Sequence, residues 1–192
     1  MSSKPFILLG KEIPKGKRTI LDLEIAKLHT GTSVKVPVIV ERAKKSGPVI
    51  LLLAGLHGDE TNGVGIIREI MSQKINKPKS GTIICIPVFN IFGYLIQTRE
   101  FPDGRDLNRM FPGTLNGSLA SQFAYQFTQE IAPFVDYVID FHTGGGERDN
   151  IAQIRCSKND EKGFELAKIF NPPMIIFSNN ITKSLRDTLH KM

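Results

Sequence analysis

The chain has 192 residues, 41% of them hydrophobic and 23% charged, with a formal net charge of +6 at pH 7. That length suits one domain, or one domain with a small appendage, against a usual roughly 100–200 residues per domain. Ordinary apolar content without a short-period repeat excludes disorder, collagen and coiled coil. No apolar run approaches the ~20 residues of a membrane-spanning helix, the longest being Val49–Leu56 with a glycine inside.

The first ten residues hold one lysine and four consecutive apolar residues, too little for a signal peptide. Thr19–Leu28 and Ser33–Val40 both alternate apolar and polar, with His29-Thr30-Gly31-Thr32 between them, which predicts a hairpin with one buried face. A basic, glycine-containing stretch, Ala43–Gly47, closes this region. We therefore expect residues 1–47 to form an N-terminal β appendage and residues 48–192 an α/β domain. Val49–Gly55 is a continuous apolar run, as in a strand buried on both faces. Thr61–Met71 has helical spacing. Thr82–Phe89 reads as a second buried strand, which Pro87 either ends early or gives a bulge. Ser118–Ile131 predicts a helix stopped by Pro133. Asp136–Phe141 predicts a third strand, Asp160–Phe170 a helix, Met174–Phe177 a fourth strand, and Ser184 the cap of a last short helix. Strands alternating with helices imply a mainly parallel or mixed sheet flanked by helices.

Cys85 and Cys156 form no CxxC motif or disulfide framework, and Cys85 sits in an apolar run, so a reducing, cytoplasmic setting is expected. Basic residues cluster at Lys11–Arg18, Arg42–Lys45 and Lys74–Lys79, each beside Pro, Gly or Ser, which reads as three solvated turns. The aromatic interleaving of nucleic-acid surfaces is missing, so no nucleic-acid or membrane partner is expected. Attraction of a small anionic substrate fits the charge better.

In open α/β sheets, ligands collect outside the carboxyl ends of the strands. His57-Gly58-Asp59-Glu60 follows the first such strand, and His142 ends Asp140-Phe141-His142-Thr143 after the third. His57 and Glu60, three apart, can aim at one point, and His142 would join them from a separate strand. Two imidazoles and a carboxylate, with the fourth position left to water, are the ligand set of a catalytic zinc site. The plainer alternative is a turn entering a helix, with Asp59 and Glu60 complementing the helix dipole and the histidines as satisfied polar groups. Asp140 either orients His142 or is simply a strand-end residue. Residues 98–113 form a polar loop with three arginines and Asn108. Such a loop either binds a carboxylate through arginine forks or is solvated, its ion pairs contributing little.

His57-Gly58-Asp59-Glu60, Asp106-Leu107-Asn108-Arg109 and Asp140-Phe141-His142-Thr143-Gly144, in this order, resemble the succinylglutamate desuccinylase/aspartoacylase family, a branch of the zinc carboxypeptidase-like fold. The resemblance runs from about Pro48 to Arg186. It implies a zinc-dependent hydrolase, with one Zn2+ per chain, that cleaves an N-acyl amide or related amide or ester of a small carboxylate-bearing molecule. His57, Glu60 and His142 match the zinc ligands, and Asn108 and Arg109 the pair that grips a substrate carboxylate. Arg99 matches the arginine that polarises the scissile carbonyl, with Arg105 as its competitor. The resemblance also implies a general-base glutamate on a strand beyond the helix that Ser184–His190 begins, and the 192 residues end before it. Glu147, Glu100 and Glu165 are weak substitutes, Glu147 reading as solvated. A catalytically incomplete zinc-binding fragment is therefore the alternative expectation, and a homo-oligomer is compatible with either.

Overall fold

The computed structural model describes residues 5–27, 29–146 and 148–192. Two short strands, β1 (Ile7–Leu8) and β2 (Lys11–Glu12), open the chain, followed by β3 (Arg18–Lys27) and β4 (Ser33–Arg42). Then come β5 (Val49–Ala54), α1 (Asn62–Ser72), β6 (Thr82–Ile86), α2 (Ile91–Ile96), α3 (Leu119–Glu130) and β7 (Tyr137–Phe141). The last elements are β8 (Ile154–Cys156), α4 (Glu161–Phe170), β9 (Ile175–Phe177) and α5 (Leu185–His190). The main sheet has five strands in the order β3-β4-β6-β5-β7. β3, β4 and β6 pair antiparallel, while β5 runs parallel to both β6 and β7. The mixed α/β sheet expected from the sequence is the one observed.

β5 shows why that sheet carries helices on both faces. Successive strand side chains point to opposite sides, so the run Leu51–Ala54 feeds two cores. Leu51 and Leu53 join Leu21, Leu23, Val36, Val38, Phe123 and Phe127 on one side. Leu52 and Ala54 meet Val64 and Ile67 of α1 on the other. The expected hairpin is present but is not set apart from the domain. β4 pairs with β6, so the sheet runs across the boundary expected at residue 47. The physical reason is burial, because a two-stranded ribbon alone would leave Leu21, Leu23, Val36 and Val38 in water, and isolated hairpins are marginal.

Two further differences concern the later part of the chain. β9 falls where the fourth strand was expected, but it pairs parallel with β8, outside the main sheet. β8 itself, only three residues long, carries too short a pattern to read. Among the described residues, no helix is long and apolar enough to cross a membrane.

The polar loop of residues 98–113 is anchored from below by its own apolar residues. Phe101, Leu107 and Phe111 are buried. Phe101 stacks on Phe123 with ring centroids 5.7 Å apart, Phe111 meets Phe127 edge-on at 6.0 Å, and Phe89 packs on both α3 rings at 4.6 and 5.1 Å. Replacing Phe123 by Ala therefore removes the floor of the loop as well as core volume. We expect Phe123→Ala to cost about 3–5 kcal/mol in urea-induced unfolding at unchanged m-value.

Candidate metal centre

Because β5 and β7 are adjacent and parallel, their carboxyl ends deliver the histidine segments to the same end of the sheet. The turn after β5 is closed by the Glu60 N–H donating to the His57 carbonyl at 3.3 Å, which sets the two side chains side by side. Gly58 lets this turn lie against α2. A Cβ there would stand 1.9 Å from the carbonyl carbon of Gly93, a distance no side chain tolerates.

Glu60 is the hub. Its Oε1 lies 2.8 Å from Nδ1 of His57, and its Oε2 lies 2.8 Å from Nδ1 of His142 and accepts from the Thr143 N–H at 3.0 Å. His57 and Glu60 are buried, while the His142 side chain is 33% exposed. The far side of each ring faces a second carboxylate. His57 Nε2 is 3.2 Å from Asp106 Oδ1, and His142 Nε2 is 2.8 Å from Asp140 Oδ2. Nε2–H donation to these carboxylates would leave each Nδ1 free to give its lone pair to an ion once its proton is lost, the tautomer that a metal ligand needs.

The electrostatics favour positive charge at the rings. Burial opposes charge on His142, but Asp140 and Glu60 outweigh it and push its pKa up to about 10. His57 is raised too, burial again being overcome by Asp106 and Glu60. Against their own burial, the histidine contacts hold Glu60 well below the usual carboxylate range, and His57 and Arg99 do the same for Asp106. Three carboxylates around two imidazoles and one guanidinium thus favour positive charge where the two rings converge. Asp140 Oδ1 is in addition buried without a hydrogen-bond partner. One atom each from His57, Glu60 and His142 lies within 4.8 Å of the others. The donor set and the carboxylates behind each ring fit a divalent cation.

The arginine loop contributes unevenly. Arg99 grips Asp106 Oδ2 through Nη2 at 2.8 Å and Nε at 3.2 Å, and its Nη1 reaches Glu60 at 3.4 Å. Arg105 is exposed and faces Asp103 at 3.7 Å, so of the two competitors Arg99 stands at the cluster. Asn108 uses its side-chain oxygen to accept from the Leu185 N–H at 2.9 Å, tying the loop to α5. Arg109 is exposed and donates to the Asn108 carbonyl at 2.7 Å. Among the described residues, no hydrogen bond or ion pair joins Asn108 or Arg109 to the histidines or Glu60. Glu100 and Glu165 are exposed, and Glu147 lies outside the described residues.

Two contributors escaped the sequence reading. Asp106 holds His57, Arg99 and the N–H of Asn108 at once. Asn90, fully buried, caps α2 through the Gly93 N–H at 2.9 Å and donates to the Glu100 carbonyl at 3.0 Å, which fixes the backbone beside Arg99. Its position ahead of a short apolar run was a capping signal. Asp106 had only its place in Asp106-Leu107-Asn108-Arg109.

Fold and site define a two-histidine, one-glutamate centre at the carboxyl ends of adjacent parallel strands. The sequence pattern of the succinylglutamate desuccinylase/aspartoacylase catalytic domain matches residues 46–190, and the chain belongs to that family. It is 33% identical over 150 residues to an N-alpha-acetyl-L-2,4-diaminobutyric acid deacetylase of Halomonas elongata, covering 75% of this chain and 44% of that protein. Its fold is similar to the crystal structure of an aspartoacylase family protein from Mesorhizobium loti, with a TM-score of 0.82, 27% identity, and coverage of 100% of this chain and 62% of that one. It is also similar to the product-bound ectoine utilization protein EutE (DoeB) of Ruegeria pomeroyi, with a TM-score of 0.79, 25% identity, and coverage of 100% and 61%. The chain thus spans about half the length of these relatives.

If Asp106 and Asp140 set the tautomers, Asp106→Asn and Asp140→Asn should each weaken metal affinity by about 10–100-fold, read by chelator competition with zinc as the probe. The pH dependence has a definite sign. A metal takes the deprotonated imidazole, and the raised histidine pKa values keep protons in competition above 6.5. Zinc affinity should therefore keep rising as pH increases from 7 to 9, rather than levelling off near the ordinary histidine pKa of about 6.5.

Proposed function

We propose that this chain carries the metal centre of a zinc-dependent deacylase that hydrolyses the N-acyl amide of a small carboxylate-bearing substrate. The observation that carries the reading is the convergence of both Nδ1 atoms on Glu60, each ring backed by its own carboxylate. His57, Glu60 and His142 would hold the ion. Zinc bound by such a set lowers the pKa of its water to about 7 and polarises a carbonyl.

The remaining work falls to the chain's own side chains. Arg99, locked by Asp106, is a preorganised cation beside Glu60, suited to stabilising the oxyanion of an attacked amide. Arg109, exposed and without a carboxylate partner among the described residues, offers its fork to a substrate carboxylate. Once its oxygen is committed to Leu185, Asn108 still has an amide N–H pair to donate. The deacetylase named among the relatives supports an N-acyl amide as the bond cleaved. A cytoplasmic setting belongs to the same proposal, supported by two buried free cysteines.

A second reading, a metal-binding chain without turnover, is favoured by one observation. Glu60, Asp106 and Asp140 all hold imidazole rings, so none of the three is at liberty to relay a proton. Metal analysis and a panel of N-acyl amino acids separate the readings. The first expects stoichiometric zinc lost in His57→Ala, hydrolysis of at least one N-acyl amino acid, and a loss of about 10²-fold in kcat for Arg99→Gln with zinc retained. Zinc without turnover supports the second, and no zinc under zinc-replete conditions removes both.

A further inference from the structure

Two of the basic stretches that read as separate solvated turns meet at the end of the sheet opposite the histidines, beside the chain that follows the third. Gly16 N–H donates to the Arg42 carbonyl at 2.8 Å and Arg42 N–H to the Lys17 carbonyl at 3.2 Å, joining the first stretch to the second. Gly81 N–H donates to the Lys45 carbonyl and Ala43 N–H to the Gly81 carbonyl, both at 2.9 Å, which brings in the chain following the third. The junction is backbone against backbone. Gly81 has φ +80°, and a Cβ on it would stand 2.2 Å from the Pro48 carbonyl oxygen. Where these turns meet there is a half-open cavity of about 200 Å³, bordered by Lys15, Arg42, Lys45, Ser46, Gly47 and Gly81.

We infer that this pocket is an anion site for a phosphate group, distinct from the metal centre. Arg42 is its fixed element. The guanidinium lies over the Phe6 ring, 5.3 Å from the centroid, and donates to the Ile13 carbonyl, so it is held in place by groups that leave its charge unneutralised. Among the described residues, no carboxylate lies within ion-pair distance of Lys15, Arg42 or Lys45. The acids nearby are committed elsewhere. Glu41, the neighbour of Arg42 in β4, faces Arg18 at 3.8 Å, and Asp136 accepts from the Val49 N–H at 2.8 Å. A concave site lined by cations of one sign concentrates anions. A guanidinium fork with two ammonium groups matches phosphate oxygens, and a prefixed arginine loses little entropy on binding. The volume decides the size of the ligand. It lies below the ~300–1,000 Å³ of pockets that enclose drug-sized molecules, so the pocket takes a phosphate group with any organic remainder left outside. β5 runs from this pocket to the metal centre, a separation of about 20 Å at ~3.3 Å per residue.

The test is a titration of the full chain with inorganic phosphate, and separately with a nucleoside monophosphate, followed by amide NMR at constant ionic strength. Saturable shifts are expected at Ser46, Gly47, Gly81 and Thr82. Equal affinity for the two probes identifies free phosphate as the ligand, and tighter binding of the monophosphate identifies a phosphoester. Lys15→Gln/Lys45→Gln, both exposed positions, should weaken binding about tenfold or more, while Lys35→Gln on the hairpin leaves it unchanged. Arg42→Lys keeps the charge but loses the fork and should also weaken it. Thermal unfolding checks that each variant is folded. The inference is overturned by a spectrum that is the same in phosphate and in chloride, by shifts confined to Gly144–Gly146 beside the histidines, or by binding that the double variant leaves intact.

Discussion

The structure depends on one carboxylate bridging two imidazoles. Glu60 can meet His57 and His142 together only because β5 and β7 lie side by side and end at the same level, with Leu53 opposite Asp140 and Ala54 opposite Phe141. A register slip of one residue would turn each strand's side chains to the other face. The double burial of β5 guards against such a slip, since Leu51 and Leu53 fill one core while Leu52 and Ala54 fill the other. Core packing thereby specifies the geometry of the polar site at the strand ends.

Around this bridge the charges are arranged in layers. Asp106 and Asp140 stand behind the two rings, and Arg99 is held by Asp106 and touches Glu60. Each group limits the freedom of the next, and the whole array rests on Phe101, Leu107 and Phe111 sunk in the core. A loop rich in arginines is costly to order in water. Here three apolar anchors and the Asn90 hydrogen bonds supply the order, so Arg99 is already in place before any ligand arrives. The carboxylate-backed histidines at this end and the basic pocket at the other are separated by the length of β5.

Much of this was legible in the sequence. The period-two alternation of Leu21, Leu23 and Ile25 and the unbroken apolar run of β5 reflect local rules of burial, and the strands formed where those rules placed them. His57, Glu60 and His142 were visible because strand ends are where an α/β sheet exposes its chemistry. The hairpin's union with the main sheet was not visible, since alternation says which face is buried and not which strand covers the edge. Neither was the pairing of β9 with β8, where three-residue strands carry too little pattern to choose a partner.

What the sequence determined by itself, then, was the longer elements, the ligand types and the family they resemble, because periodicity and motif spacing are local properties of the chain. Only the tertiary structure decided that Asp106 stands behind His57 across 49 residues of chain, that Arg99 rather than Arg105 reaches Glu60, and that two separate basic turns share one pocket. Those contacts depend on how loops close over a packed core. Loop closure is set by the sum of many weak apolar contacts far apart in sequence, and no short stretch of residues records it.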